Sequence, residues 1–283
     1  MFTLHNGDCL TVLPSIPSGS IDAIITDLPY GTTACKWDTV IEFAPMWKEV
    51  KRVLKPNGVF ITTASQPFTS ALIMSNPVFF QCEWIWRKDK PSNFALANKH
   101  PMKYHENIVV FANGKNTYNK QVSEGHKPMN GQAKYGRTYH GSVPALEVAK
   151  RYSGGKTSRN PSSVIEVNTV KHNSPDKGGL HPTQKPVALY EYLIRTYTNE
   201  GEMVLDIAMG SGTTIEAAER TGRNSIGIEK DEGIFQSAVL RLKPFTPSNN
   251  RLQPTAFGVG TQASFPLLGS SQAEESSATN GGG

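Results

Sequence analysis

The sequence predicts an α/β fold built on a parallel sheet, and two stretches carry that reading. In the first, the strand-like run Ile21–Thr26 is followed by apolar residues at helical spacing (Phe43, Met46, Trp47, Val50, Val53, Leu54). A second strand-like run, 59–63, then follows. In the second stretch, a strand at Met203–Asp206, a helix over 215–220 and a strand over 225–229 repeat that order. Strand, helix, strand is the βαβ unit, whose crossover leaves its two strands parallel.

The other elements follow in order. Residues 4–10 read as a strand end, a Gly7-Asp8 turn and a short helix to about Leu13, with Asp8 suited to its N-cap. Pro14, Pro17 and Gly19 break the chain before the strand at 21–26. A polar loop is predicted over 32–38, and Lys55-Pro56-Asn57-Gly58 reads as the stop and turn after the first long helix. Residues 65–74 form a further short helix, and 82–87 and 106–111 read as strands flanking a polar loop. Helical spacing returns at Val187, Leu189, Tyr190, Leu193, Ile194 and Tyr197, and a last helix runs from about Asp231 to Leu242, stopped at Pro244.

Composition narrows the class. With 283 residues, 37% of them hydrophobic and 19% charged, the chain can bury a sizeable core. No apolar run reaches bilayer length, and the amino terminus shows no signal peptide. The three cysteines (Cys9, Cys35, Cys82) lack any Cys-x-x-Cys or Cys/His ligand pattern, so no structural zinc and no disulfide framework is expected, and a reducing cytoplasm is the expected setting.

Texture changes over 114–179. Eleven basic residues face four acids there, an excess larger than the +5 of the whole chain, and Tyr118, Tyr135, Tyr139 and Tyr152 are interleaved. Cations for phosphate and rings for bases suit a nucleic-acid surface, although a long solvated loop has a similar composition. Only 164–167 looks strand-like within it. Beyond Pro244 the chain is rich in Pro, Ser, Gly, Asn and Gln, and residues 245–283 are expected to be a disordered tail.

Two constellations carry chemistry. Asp27-Leu28-Pro29-Tyr30 ends the strand 21–26 with a carboxylate, a proline-fixed turn and an aromatic ring. Such a set suits a flat, amine-bearing ring: the carboxylate and a turn carbonyl accept from the amine, and the tyrosine stacks. Four residues alone fit an ordinary strand-ending turn as well. The second is Asp206, at a strand end, followed by Gly210, Ser211, Gly212 and Thr213 opening a helix, with Glu229 closing the next strand. Glycines there admit a ligand to the backbone, and an acid in the Glu229 position is where α/β folds bind ribose hydroxyls. A dinucleotide-binding turn would have a third glycine where Ile215 stands, and Asp206 would repel a pyrophosphate while attracting an ammonium or sulfonium.

Together, Asp-Leu-Pro-Tyr at 27–30, His-Pro-Thr-Gln-Lys-Pro at 181–186 and Leu-Asp-x-x-x-Gly-Ser-Gly-Thr-Thr at 205–214 resemble the amino-methyltransferases of DNA. With the catalytic motif first and the cofactor motif last, their order is that of the circularly permuted β group. Gly7-Asp8-Cys9-Leu10, Leu54-Lys55-Pro56-Asn57-Gly58 and His105-Glu106-Asn107-Ile108 match further blocks, so the resemblance spans about residues 3–244. It implies a methyltransferase catalytic domain over 1–244, with a doubly wound, seven-stranded, mostly parallel sheet and the insert 114–180 as target-recognition region. S-adenosylmethionine would lie across the carboxyl ends of the strands. Asp206, Gly210, Ser211, Gly212 and Thr213 would surround its methionine part, Glu229 would take the ribose hydroxyls, Asp8 the adenine amine, and Lys185 would lie near the cofactor. Double-stranded DNA is the implied partner, with the target base flipped out onto Tyr30.

In this family an aspartate at position 27 points to N6 of adenine, and serine there is commoner for N4 of cytosine, which is the runner-up. Leu28 departs from the usual proline; its carbonyl is kept, while some turn rigidity is put in question. Methylation of RNA or protein and an inactive DNA-binding module are the other readings, opposed by Asp27 with the basic insert and by the intact Asp27 and Tyr30 respectively. No metal-binding nuclease pattern is present, so any restriction endonuclease would be a separate chain, and a homodimer is left open.

Overall fold

The computed structural model describes residues 1–32, 38–128, 157–170 and 184–245. Cys35, most of the basic insert, His181 to Thr183 and all but Phe245 of the segment expected as a tail lie outside them. Eight strands form one sheet: β1 (Phe2–Asn6), β2 (Ile21–Thr26), β3 (Leu54–Ala64), β4 (Phe80–Arg87), β5 (His105–Ala112), β6 (Val164–Glu166), β7 (Met203–Asp206) and β8 (Asn224–Glu229), in the order β1-β8-β7-β2-β3-β5-β4-β6. From β1 to β3 every pairing is parallel, so those five strands end at one edge; β5 is antiparallel to both β3 and β4.

Alternation along the strands builds two faces. Ile24, Phe60, Phe111 and Leu205 pack under the helices α1 (Cys9–Val12), α2 (Phe43–Val53) and α3 (Phe68–Ser75). Their neighbours Ala23, Ile25, Ile61, Val110 and Val204 pack under α4 (Val187–Tyr197) and α5 (Thr213–Arg220). The last helix, α6 (Glu232–Leu242), closes on Met209 and Ile215, and Phe245 packs at its end, one residue beyond the expected domain limit.

Two expectations are refined. Lys55 to Gly58 does turn, but inside a strand: Ile21 pairs with Leu54 and Ala23 with Val59, so four residues bulge out of β3. The Lys55 ammonium then reaches back to Asp22 at 2.7 Å, fixing the bulge to β2. The implied seven strands are extended by an eighth, because β6 from the basic insert pairs in parallel with the otherwise open edge of β4. The Trp86 indole N–H donates to the Val167 carbonyl at 2.8 Å and secures it. Asn119 anchors the start of the insert, its side-chain amide donating to the Thr198 carbonyl at 2.9 Å beyond α4. No helix among the described residues is long and apolar enough to cross a membrane.

Candidate active site

The edge where the parallel strands end opens into a cavity of about 1250 Å³. Its walls include Asp8, Asp27 to Tyr30, Glu106, Lys185, Asp206, Gly210, Ser211, Thr213 and Glu229. Gly212 sits just behind, so the structure brings nearly all the sequence-predicted residues to one place.

At the end of β2, the Asp27 carboxylate is held from three sides. The Tyr30 hydroxyl donates to Oδ1 at 2.9 Å, the Thr63 hydroxyl donates to the same oxygen, and Lys185 Nζ pairs with Oδ2 at 2.7 Å. Thr63 comes from β3, the strand paired with β2, which explains its reach. Tyr30 is braced by Phe68, their ring centroids 5.3 Å apart at 28°. Leu28 is 3% exposed in the core cluster beneath, so its side chain anchors the turn where a proline would have stiffened it. Behind Tyr30, the Gly31 and Thr32 amides both donate to the Asp38 carboxylate, at 2.8 and 2.9 Å.

Lys185, expected near the cofactor, lines the same cavity and stands between two carboxylates, 2.7 Å from Asp27 and 3.4 Å from Glu106. Burial pulls its ammonium pKa down, but Asp27 and Glu106 outweigh burial and hold it above the ordinary lysine value. Burial likewise pushes the Glu106 carboxyl up, and Lys185 with Lys88, 3.0 Å away, brings it below the usual range. Glu106 and Thr63 were given no role from sequence. Glu106 lies in a matched block, and that match was its only signal.

The glycine turn is built differently. Gly210 takes a left-handed φ of +52°, with open space where a side chain would stand. Its amide donates to Glu229 Oε2 at 2.9 Å, and the Asp231 amide donates to Oε1 at 2.8 Å. Gly212, at φ +79°, is the N-cap of α5, and a Cβ there would meet Leu242 at 2.9 Å. One glycine therefore opens the cavity and the other admits α6 behind it. Asp206 is 2% exposed; it accepts from the Thr26 hydroxyl at 2.7 Å and the Ala208 amide at 3.0 Å, and burial pushes its carboxyl up to about 6.

The hydroxyls of Ser211 and Thr213 are engaged from behind by Arg241, at 3.0 and 3.1 Å. Arg241 also pairs with buried Glu216 at 2.6 Å. This brace from α6 was not foreseen, because nothing local marks a pairing across 25 residues. Asp8 caps α1 as read, accepting from the Leu10 amide at 2.9 Å, and its other oxygen pairs with Lys230 at 3.0 Å. Among the described residues no group of three His, Cys, Asp or Glu side chains is placed to hold a metal ion.

Comparison with known proteins shows the family. The chain is 30% identical over 258 residues to the DNA adenine methyltransferase YhdJ of Escherichia coli (strain K12), covering 85% of this chain and 82% of that protein. It is 28% identical over 247 residues to the type II methyltransferase M.HpaI of Haemophilus parainfluenzae, covering 83% and 72%. Among solved structures, the cytosine-N4-specific PvuII DNA methyltransferase superposes with a TM-score of 0.60 at 19% identity, covering 89% of this chain and 90% of that one. The M1.HpyAVI complex with SAM gives 0.57 at 23%, covering 86% and 99%. At these identities the structures speak to the fold alone. The family model described as DNA methylase matches residues 21–240, and the chain belongs to the N6-adenine/N4-cytosine DNA methylase family.

Proposed function

We propose that this protein methylates the N6 amine of adenine in duplex DNA, using S-adenosylmethionine, with the target base turned out of the helix into the cavity. The observation that carries the reading is Asp27: a carboxylate fixed at the rim of the cavity, on the strand beside the one that ends in Asp206. An aspartate in this turn and the 30% identity to a DNA adenine methyltransferase favour adenine over cytosine.

The residues of the glycine turn fit the cofactor. The Gly210 backbone leaves space beside it, and Asp206 offers a carboxylate to a cation. Each Glu229 oxygen takes one backbone amide, which leaves lone pairs for ribose hydroxyls. When bound, S-adenosylmethionine supplies an electrophilic methyl group on a positively charged sulfur. Asp8 would meet the adenine amine with the lone pairs left by its cap and its ion pair. Ser211 and Thr213, held by Arg241, would shape the wall around the methionine part.

The chain's own task is to ready a poor nucleophile. The lone pair of an exocyclic amine is delocalised into the ring; Asp27 and the Leu28 carbonyl would accept its two hydrogens and localise that pair on nitrogen. Tyr30, pinned by its hydroxyl and by Phe68, would stack on the base. The basic insert, anchored through Asn119 and β6, would read the target sequence. The test is transfer of tritiated methyl from S-adenosylmethionine to duplex DNA, RNA and protein, followed by nucleoside analysis. Label in N6-methyladenine of DNA is expected; label confined to N4-methylcytosine, RNA or protein would overturn the reading.

A further inference from the structure

Asp27 has about four lone-pair positions, and three are already taken, by Tyr30, Thr63 and Lys185. The position left is on Oδ2, the oxygen that Lys185 holds, so a base amine arriving there shares it with a buried ammonium. Glu106 stands ready to receive that ammonium. Its Oε1 is fixed by Lys88 at 3.0 Å, so the carboxylate does not need to turn. Its Oε2 is buried, makes no hydrogen bond, and points at Lys185 Nζ from 3.4 Å. Moving Nζ about 0.6 Å towards it would reach the charge-assisted range of about 2.8 Å. Buried oxygens without a hydrogen bond are rare, and this one lies 3.4 Å from an ammonium held by another carboxylate.

We propose that Lys185 is a transferable counter-ion, holding Asp27 in the resting protein and passing to Glu106 when the base amine arrives. This rests on the reading of Asp27 as the amine's acceptor. The two carboxylates and two ammonium groups of the cluster balance, so a neutral amine can enter while Lys185 stays paired throughout. Lys185 and Glu106 are then positioning residues, and the resting pair keeps an empty site from presenting a bare carboxylate.

A single-turnover assay on a duplex carrying the protein's own methylated motif tests this, with Glu106→Gln, Lys185→Met and the double variant. Glu106→Gln should leave Lys185 on Asp27 and slow transfer about tenfold or more. Cofactor affinity, measured without DNA, should not change. The double variant should be faster than Glu106→Gln alone, because no ammonium then holds Asp27 Oδ2; a purely structural role would make the two losses add. An unchanged rate for Glu106→Gln, or a double variant slower than both singles, would overturn the proposal. If Glu106→Gln fails to fold, Lys185→Met decides alone: a lower KM for duplex is expected, and a higher one contradicts the transfer. Asp27→Ala runs alongside, since full activity in that variant sinks the amine-acceptor reading and not merely the switch.

Discussion

The turn at 27–30 and the glycine turn at 210–212 stand at the ends of neighbouring parallel strands, joined by the Thr26–Asp206 hydrogen bond of 2.7 Å, yet they are held by different means. At the glycine turn Glu229 accepts from the backbone amides of Gly210 and Asp231, and Asp206 from the Ala208 amide as well as the Thr26 hydroxyl. At the other turn, among the described residues, Asp27 accepts from side chains alone, those of Tyr30, Thr63 and Lys185. Backbone donors move only with the chain, whereas side-chain donors can leave by rotation. On the proposed reading of the two turns, the cofactor end is thus preorganised and the base end exchangeable. That division suits a reaction in which one reactant binds a standing pocket and the other must be inserted from a duplex.

Substitutions can break this contrast from either side. The largest effect is expected at the exchangeable turn: Asp27→Ala should reduce methyl transfer on the order of a thousandfold while cofactor affinity, measured by calorimetry, stays level. On the preorganised side, Arg241→Met leaves buried Glu216 with only its half-exposed partner Arg220. It should lower folding stability by about 3 kcal/mol in chemical denaturation and weaken cofactor binding with it. Gly212→Ala forces a side chain into a left-handed backbone against Leu242, and a loss of about 1–2 kcal/mol should appear as a lower Tm.

Asp206 sharpens the comparison through pH. Burial raises its carboxyl from 3.8 to about 6, so in the free protein it takes up a proton as pH falls through about 6. A cationic ligand needs the ionised form, so cofactor Kd should climb about tenfold per pH unit below that point, and Asp206→Asn should abolish the slope. The stability sign is opposite: the raised value favours the protonated fold, so the group's contribution is present at low pH and lost as pH rises from about 4 to 6. The smallest effect belongs to Tyr30→Phe, which removes one of three donors to Asp27 and should cost tenfold or less in transfer.

How much of this was legible follows the range of each interaction. Both turns could be read because their residues are consecutive and each follows an apolar strand run. The βαβ order gave the parallel core for the same reason. Lys55 to Gly58 was read correctly as a turn and wrongly as the gap before a strand, since a bulge and a loop share their residues. Thr63, Glu106 and Arg241 act 36, 79 and 25 residues from their partners Asp27, Lys185 and Glu216, and no local pattern records such pairings. Lys185 was found by motif: the block locates the residue in the site, while packing decides which carboxylates it meets.

The central claim is that Asp27 presents an adenine amine for methylation in DNA. Sequencing DNA from a host expressing the protein, with modified-base detection and with Asp27→Ala as control, tests it most directly. N6-methyladenine at one recurring motif, absent in the control, is the predicted result. N4-methylcytosine in its place, a methylated motif that survives in the control, or no methylated motif at all would contradict it.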